Sequence, residues 1–237
     1  MEAPNFQRVL AEGRALQARL ADLSTIAVGG TAAALHCGHR FSLDVDVVAS
    51  QLEVRFEEVK AILAAWEGWR INRLNPPVLI LGEHGGVELG VRQLRRSVPL
   101  QTTRISELLV PTAAEMLRVK AFLLTERRAT RDYVDVAALA HHLGNEAALR
   151  ALRLLNVVYG PRAPQTWVSA FAEACEDDPL DLAEVPLAAY KGLQAPFTDW
   201  SFVAGECRTL GRTVLKMELG GLLPTTLPAN WPQGEPS

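Results

Sequence analysis

The stretch from Thr25 to Val47 limits what this chain can fold into more than any other. An apolar run, Thr25-Ile26-Ala27-Val28, enters a Gly29-Gly30-Thr31 turn. A short alanine-rich helix follows, and Ser42-Leu43-Asp44-Val45-Asp46-Val47 then reads as a strand. Alternate residues of a strand share a face, so Asp44 and Asp46 project together. Glycines let the backbone lie close to whatever the two acids hold. Hard oxygen donors beside a Gly-rich turn suit Mg²⁺ or Mn²⁺ carrying a nucleotide.

The periodicity on either side of this stretch divides the chain. Residues 4–22 read as an amphipathic helix with Phe6, Val9, Leu10, Leu16 and Leu20 on one face. After the Asp-x-Asp strand come a charged helix near 52–66, a strand near 70–74 and a break at Asn75-Pro76-Pro77. Val78 to Gly82 and Gly86 to Val91 read as strands joined through Glu83-His84-Gly85, with a further short strand near 98–104. Beyond residue 105 the pattern is helical. Thr112 and Glu115 spell a capping box that opens a helix to about 127. A second helix runs from Thr130 to about His142 and stops at Gly144. Helices broken around Gly160-Pro161 follow, then helices near 182–192 and 199–217. The expected class is α+β: an N-terminal mixed sheet with flanking helices over residues 1–105, a mostly helical part over 106–222, and a Pro- and Gly-rich tail over 223–237 expected to fray.

Bulk properties narrow the setting. A formal charge of −3 argues against a surface that coats nucleic acid broadly, but leaves room for a local basic cleft. The three cysteines, Cys37, Cys175 and Cys207, have no metal-like spacing and fit a reducing compartment, so a cytoplasmic protein is expected. No apolar stretch has the length of a membrane span, and no membrane partner is expected.

Other residues join the acids as candidates. Glu88 is either a third metal ligand from a neighbouring strand or a solvent-side strand residue. Lys120, at the border of an apolar helix face, either snorkels to solvent or meets phosphate as a point charge. Arg131 and Asp135, four apart, have the spacing of a surface helix pair, and Asp132 the place of a dipole-complementing acid. Arg40 either touches phosphate or pairs with an acid of the fold. Ser42 points with the two acids and either binds phosphate or is a plain strand serine. His36 and His39, without a third ligand, read as structural.

These segments, in this order and spacing, resemble the AbiEii toxin family of nucleotidyltransferase-like proteins in the DNA polymerase β superfamily. The resemblance rests on Gly29-Gly30-Thr31 with His39-Arg40-Phe41-Ser42-Leu43-Asp44-Val45-Asp46, on Glu88, on Lys120-Ala121 and on Arg131-Asp132-Tyr133-Val134-Asp135, and covers roughly residues 24–140. It implies a nucleotidyltransferase-type fold and an Mg²⁺-dependent toxin of a toxin–antitoxin, phage-defence system. Such a toxin uses a nucleoside triphosphate, with the acceptor end of tRNA as one acceptor and a cognate antitoxin as partner. By the same resemblance Asp44, Asp46, Lys120 and Asp135 are the expected catalytic residues, and Asp44, Asp46 and Glu88 the metal ligands. Gly29, Gly30, Thr31, Arg40, Ser42 and Lys120 are expected to lie by the triphosphate.

Two other functions compete. A small-molecule nucleotidyltransferase, for example one acting on an aminoglycoside, needs an acidic acceptor pocket, for which Glu83 and Glu176-Asp177-Asp178 are available. A non-catalytic nucleotide-binding or interaction protein is the third reading. RNA as acceptor instead asks for basic surface, for which Arg92, Arg95 and Arg96 near Glu88 and Arg118, Arg127, Arg128 and Arg131 near Lys120 are the candidates.

Overall fold

In the computed structural model, which describes residues 4–232, helix α1 (Pro4–Arg19) precedes strand β1 (Ile26–Val28), and β1 runs directly into helix α2 (Gly29–Cys37). Strand β2 (Asp44–Ala49) follows, with Val45, Val47 and Ala49 buried and Asp44, Asp46 and Val48 on the opposite, half-buried face. Helix α3 (Phe56–Ala64) starts later than the charged segment suggested, with Glu57 and Glu58 complementing its positive end. Strands β3 (Arg70–Asn75), β4 (Leu79–His84) and β5 (Val87–Gln93) complete the sheet. The β4–β5 turn is Gly85-Gly86, one residue later than the alternation indicates. Both glycines have positive φ, the twist a two-residue hairpin needs.

Among the described residues these strands form one five-stranded sheet in the order β1-β2-β5-β4-β3. Only β2 and β5 are parallel, which the long excursion through α3, β3 and β4 permits. Val45, Val47, Ile80, Val87, Leu89 and Val91 form the buried face, and α1 packs against β2 and β5 there. A second hairpin, β6 (Thr102–Ile105) and β7 (Leu108–Pro111), turns at Ser106 and Glu107. The Gln17 side chain clamps it: its amide donates to the Leu109 carbonyl at 2.8 Å and its Oε1 accepts the Leu109 N–H at 2.9 Å.

The helical part opens with α4 (Ala113–Arg127). Its Thr112 hydroxyl accepts the Glu115 N–H at 3.2 Å. The Thr112 N–H goes to the Gln101 carbonyl, and Glu115 pairs with Arg118 at 2.8 Å, so half of the expected capping box is used. Helix α5 (Thr130–Leu143) ends at Gly144, and α6 (Asn145–Leu152) and α7 (Leu155–Tyr159) follow. Helix α8 (Trp167–Glu176) packs on α4, and α9 (Trp200–Leu219) on α5 and α8. The helix expected over 182–192 is a series of turns with a short 3₁₀ segment at Leu187–Ala189. Pro186 falls inside 182–192 and removes an N–H group that a continuous helix needs. The tail expected to fray carries a buried anchor: Trp231 donates to the Pro99 carbonyl at 2.9 Å and packs on Leu154 and Val158. Residues 233–237 of that tail lie outside the described residues.

The chain divides into two compact units. The first comprises residues up to Leu35, Phe41–Ser97 and Thr102–Pro111; the second comprises His36–Arg40, Val98–Gln101 and the chain from Thr112. The β6–β7 hairpin belongs to the first unit. No helix among the described residues is long and apolar enough to cross a membrane.

Candidate active site

The first unit holds Gly29, Gly30, Thr31, Ser42, Asp44, Asp46 and Glu88; the second holds Arg40, Lys120 and Asp135. In the first, β2 presents Asp44 and Asp46 on one face. The Ser42 hydroxyl donates to Asp44 Oδ1 at 2.7 Å and fixes that carboxylate. Asp46 Oδ1 accepts from Arg92 Nε at 2.9 Å. Gly90 stands opposite Asp46 on β5, and a Cβ built there would lie 2.1 Å from Asp46 Oδ1. Glycine at this position is what lets the Asp46 side chain lie over β5.

Gly29 joins β1 to α2 with φ +74, a conformation that disfavours any side chain. Its built Cβ would lie 3.8 Å from Asp46 Oδ2, so the turn backbone approaches the second acid closely. Helix α2 therefore begins beside the two acids, and an N-terminal helix end with free N–H groups favours anions. The Thr31 hydroxyl, fully buried, donates to the Asp44 main-chain carbonyl and ties α2 to β2.

The residues fit a divalent cation with two carboxylates. The Oδ2 atoms of Asp44 and Asp46 take no hydrogen bond from the described residues, and oxygen donors are what Mg²⁺ and Mn²⁺ require. Glu88 lies opposite Asp44 in the β2–β5 register, on the same face, but exposed. Among the described residues no three His, Cys, Asp or Glu side chains converge as a metal cage.

In the second unit the His39-Arg40 pair is held by α5. Asp135 Oδ1 meets His39 Nε2 and Arg40 Nε, each at 2.8 Å, and Asp135 Oδ2 takes Arg40 Nη2 at 3.0 Å and Lys120 Nζ at 2.6 Å. Lys120 also reaches Asp132 at 3.3 Å, and Arg127 pairs with Asp132 from the surface side. Burial opposes charge on Asp135, yet the Arg40 guanidinium, the Lys120 ammonium and His39 hold its carboxyl well below the ordinary Asp range. The Lys120 side chain is 1% exposed and that of Asp135 0%, so each is enclosed by the other's charge. Arg40 pairs with Asp135, and Asp135 pairs inward while Arg131 is exposed. The sequence offers Arg92 only as basic surface and His39 only as a structural residue; the contact of Arg92 with Asp46 and that of His39 with Asp135 come from the structure. Arg92 sits four residues after Glu88 on the same strand face, which was the available signal.

The fold has counterparts among solved structures. A crystal structure of a candidate nucleotidyltransferase from H. pylori superposes with a TM-score of 0.54 at 18% identity, covering 93% of this chain and 99% of that one. JHP933 from Helicobacter pylori superposes at 0.51 and 17% identity, covering 93% and 97%. Among curated sequences, the heme uptake protein MmpL11 of Mycobacterium tuberculosis is 28% identical over 134 residues, 52% of this chain. The chain spans 13% of the length of that relative. The chain matches no protein-family model. A mixed five-stranded sheet with flanking helices and a helical C-terminal part is thus a fold that this chain shares with both Helicobacter pylori structures, one of them that of a candidate nucleotidyltransferase.

Proposed function

We propose that this chain is a metal-dependent nucleotidyltransferase that moves a nucleotide from a nucleoside triphosphate to an acceptor hydroxyl, and that it acts as an AbiEii-like toxin on the acceptor end of tRNA. The observation that carries this reading is the pairing of Asp44 and Asp46 on one face of β2, each with an oxygen that takes no hydrogen bond among the described residues, beside the Gly29-Gly30 turn that opens α2. Asp44 and Asp46 would hold Mg²⁺ or Mn²⁺, which when bound neutralises charge on the triphosphate and on the attacking oxygen. Ser42 keeps Asp44 in its rotamer. The Gly29-Gly30 backbone and the α2 terminus favour the phosphates. The acceptor oxygen attacks the α-phosphorus, its bond to the β-bridging oxygen breaks, pyrophosphate leaves, and the hydroxyl proton passes to a carboxylate or to solvent.

Within the second unit, the mutual burial of Lys120 and Asp135 supports a role for both in fixing the His39-Arg40 segment. Exposed Arg95 just beyond β5, with Arg92 at its end, supports an anionic acceptor such as RNA. A cognate antitoxin belongs to the same reading.

The test is incubation of the purified chain with Mg²⁺, each α-labelled nucleoside triphosphate and total tRNA, beside Asp46→Ala. Label on RNA that depends on Asp46 is expected. Label on an aminoglycoside in place of RNA would overturn the acceptor assignment. No label on any acceptor would overturn the catalytic reading and leave a binding role.

A further inference from the structure

The acid-bearing face of β2 and β5 carries a cation of its own. Arg92 lies opposite Val48, one pleat beyond Gly90, and its guanidinium turns back to meet Asp46 Oδ1 at 2.9 Å. The empty side-chain space of Gly90 makes that meeting possible. Among the described residues nothing accepts from the two terminal nitrogens of Arg92, so most of its donor fork faces outward. The Arg92 side chain is 43% exposed and that of Asp46 24%. The guanidinium can therefore swing away without unpacking the core, in contrast to the enclosed Arg40–Asp135 pair.

We propose that Arg92 is a resident counter-cation that a divalent metal displaces from Asp46, and that the displaced guanidinium is taken up by the phosphates of the incoming nucleotide. The inference rests on the nucleotidyltransferase reading above and adds the order in which ligands bind. Metal entering alone must compete with a guanidinium for Asp46 and sit beside its positive charge. Metal entering with a triphosphate brings the replacement anion, and guanidinium groups bind phosphate oxygens bidentately. The site then takes up the metal–nucleotide complex in preference to the bare cation.

The experiment is a titration of Mn²⁺ against the full chain, followed by the electron paramagnetic resonance of free Mn²⁺, with and without a non-hydrolysable nucleoside triphosphate analogue. Wild type is compared with Arg92→Gln and Arg92→Lys, each checked for an unchanged melting curve. Arg92→Gln is expected to bind Mn²⁺ alone about two- to fivefold more tightly, the range set by losing one half-exposed ion pair. It is expected to bind Mn²⁺ with the analogue more weakly than wild type does. Arg92→Lys keeps the charge and should stay near wild type for Mn²⁺ alone. Unchanged or weaker binding of Mn²⁺ alone by Arg92→Gln, in a chain whose wild type takes up Mn²⁺ with the analogue, overturns the role of Arg92 only. Absence of Mn²⁺ binding in every variant, with or without the analogue, overturns the nucleotidyltransferase reading and this inference together.

Discussion

Replacing Asp135 by asparagine removes one negative charge from a place where three side chains depend on it. Arg40 and Lys120 are 8% and 1% exposed, and both direct donors at the Asp135 carboxylate. The amide would keep the shape and one acceptor oxygen, but it would leave two buried cations without the carboxylate they share. Breaking a buried ion pair in this way costs about 3–5 kcal/mol, because the stranded charge stays desolvated. No discount for solvent screening applies, since the partners are enclosed. With a urea slope of roughly 2–3 kcal/mol/M, the midpoint should fall by about 1–2 M at pH 7. The assay is urea unfolding followed by tryptophan fluorescence, in which Trp200, packed edge-on against Tyr133 of α5, reports on the helical unit. The effect has a defined pH dependence. The folded carboxyl of Asp135 titrates well below its ordinary value of 3.8, so its stabilisation is fully present above that value and is lost as pH falls through the folded value. The midpoints of wild type and Asp135→Asn should therefore converge in acid, below about pH 4. A midpoint change under about 0.3 M at pH 7, or a gap that persists unchanged in acid, would refute the reasoning.

Three further outcomes follow from named contacts. Gly90→Ala places a carbon 2.1 Å from Asp46 Oδ1, so the acid must move; nucleotide transfer should drop by about a hundredfold while the circular dichroism spectrum stays native. Trp231→Ala removes a buried ring that caps Leu154 and Val158 and should cost about 3 kcal/mol in urea unfolding; a cost near zero would show that the tail anchor contributes nothing. Burial, with Asp135 adding to it, pushes the Cys37 thiol up to about 12, so native protein should resist iodoacetamide at this position at pH 8 and react once unfolded, as read by peptide mass spectrometry.

Much of the fold was legible because its signals are local. Strand alternation put Asp44 and Asp46 on one face, and Thr112 and Gly144 marked helix ends by cap chemistry that needs no tertiary context. What escaped is non-local. Strand β7 is four residues ending in proline, too short to alternate, and is secured by Gln17 some ninety positions away. The turns over 182–192 carry helix-compatible residues, and Pro186 inside them decides against a continuous helix. Arg131 and Asp135 have surface-pair spacing, yet Asp135 turns inward because Arg40 and Lys120 arrive from distant segments. The Arg92–Asp46 pair depends on parallel register between β2 and β5, which neither strand states by itself. The Trp231 anchor lies in a segment whose composition alone signals fraying, and one tryptophan outweighs it.

On the proposed reading, the Asp44–Asp46 face directs attack at the α-phosphorus. The most direct measurement is a paired incubation with Mg²⁺, acceptor and the same nucleoside triphosphate labelled at either the α- or the γ-phosphate, for wild type and Asp46→Ala. The α-label should join the acceptor and the γ-label leave in pyrophosphate, in equal amounts, and Asp46→Ala should do neither. Label from the γ-phosphate on the acceptor, or transfer that survives Asp46→Ala, would contradict that reading.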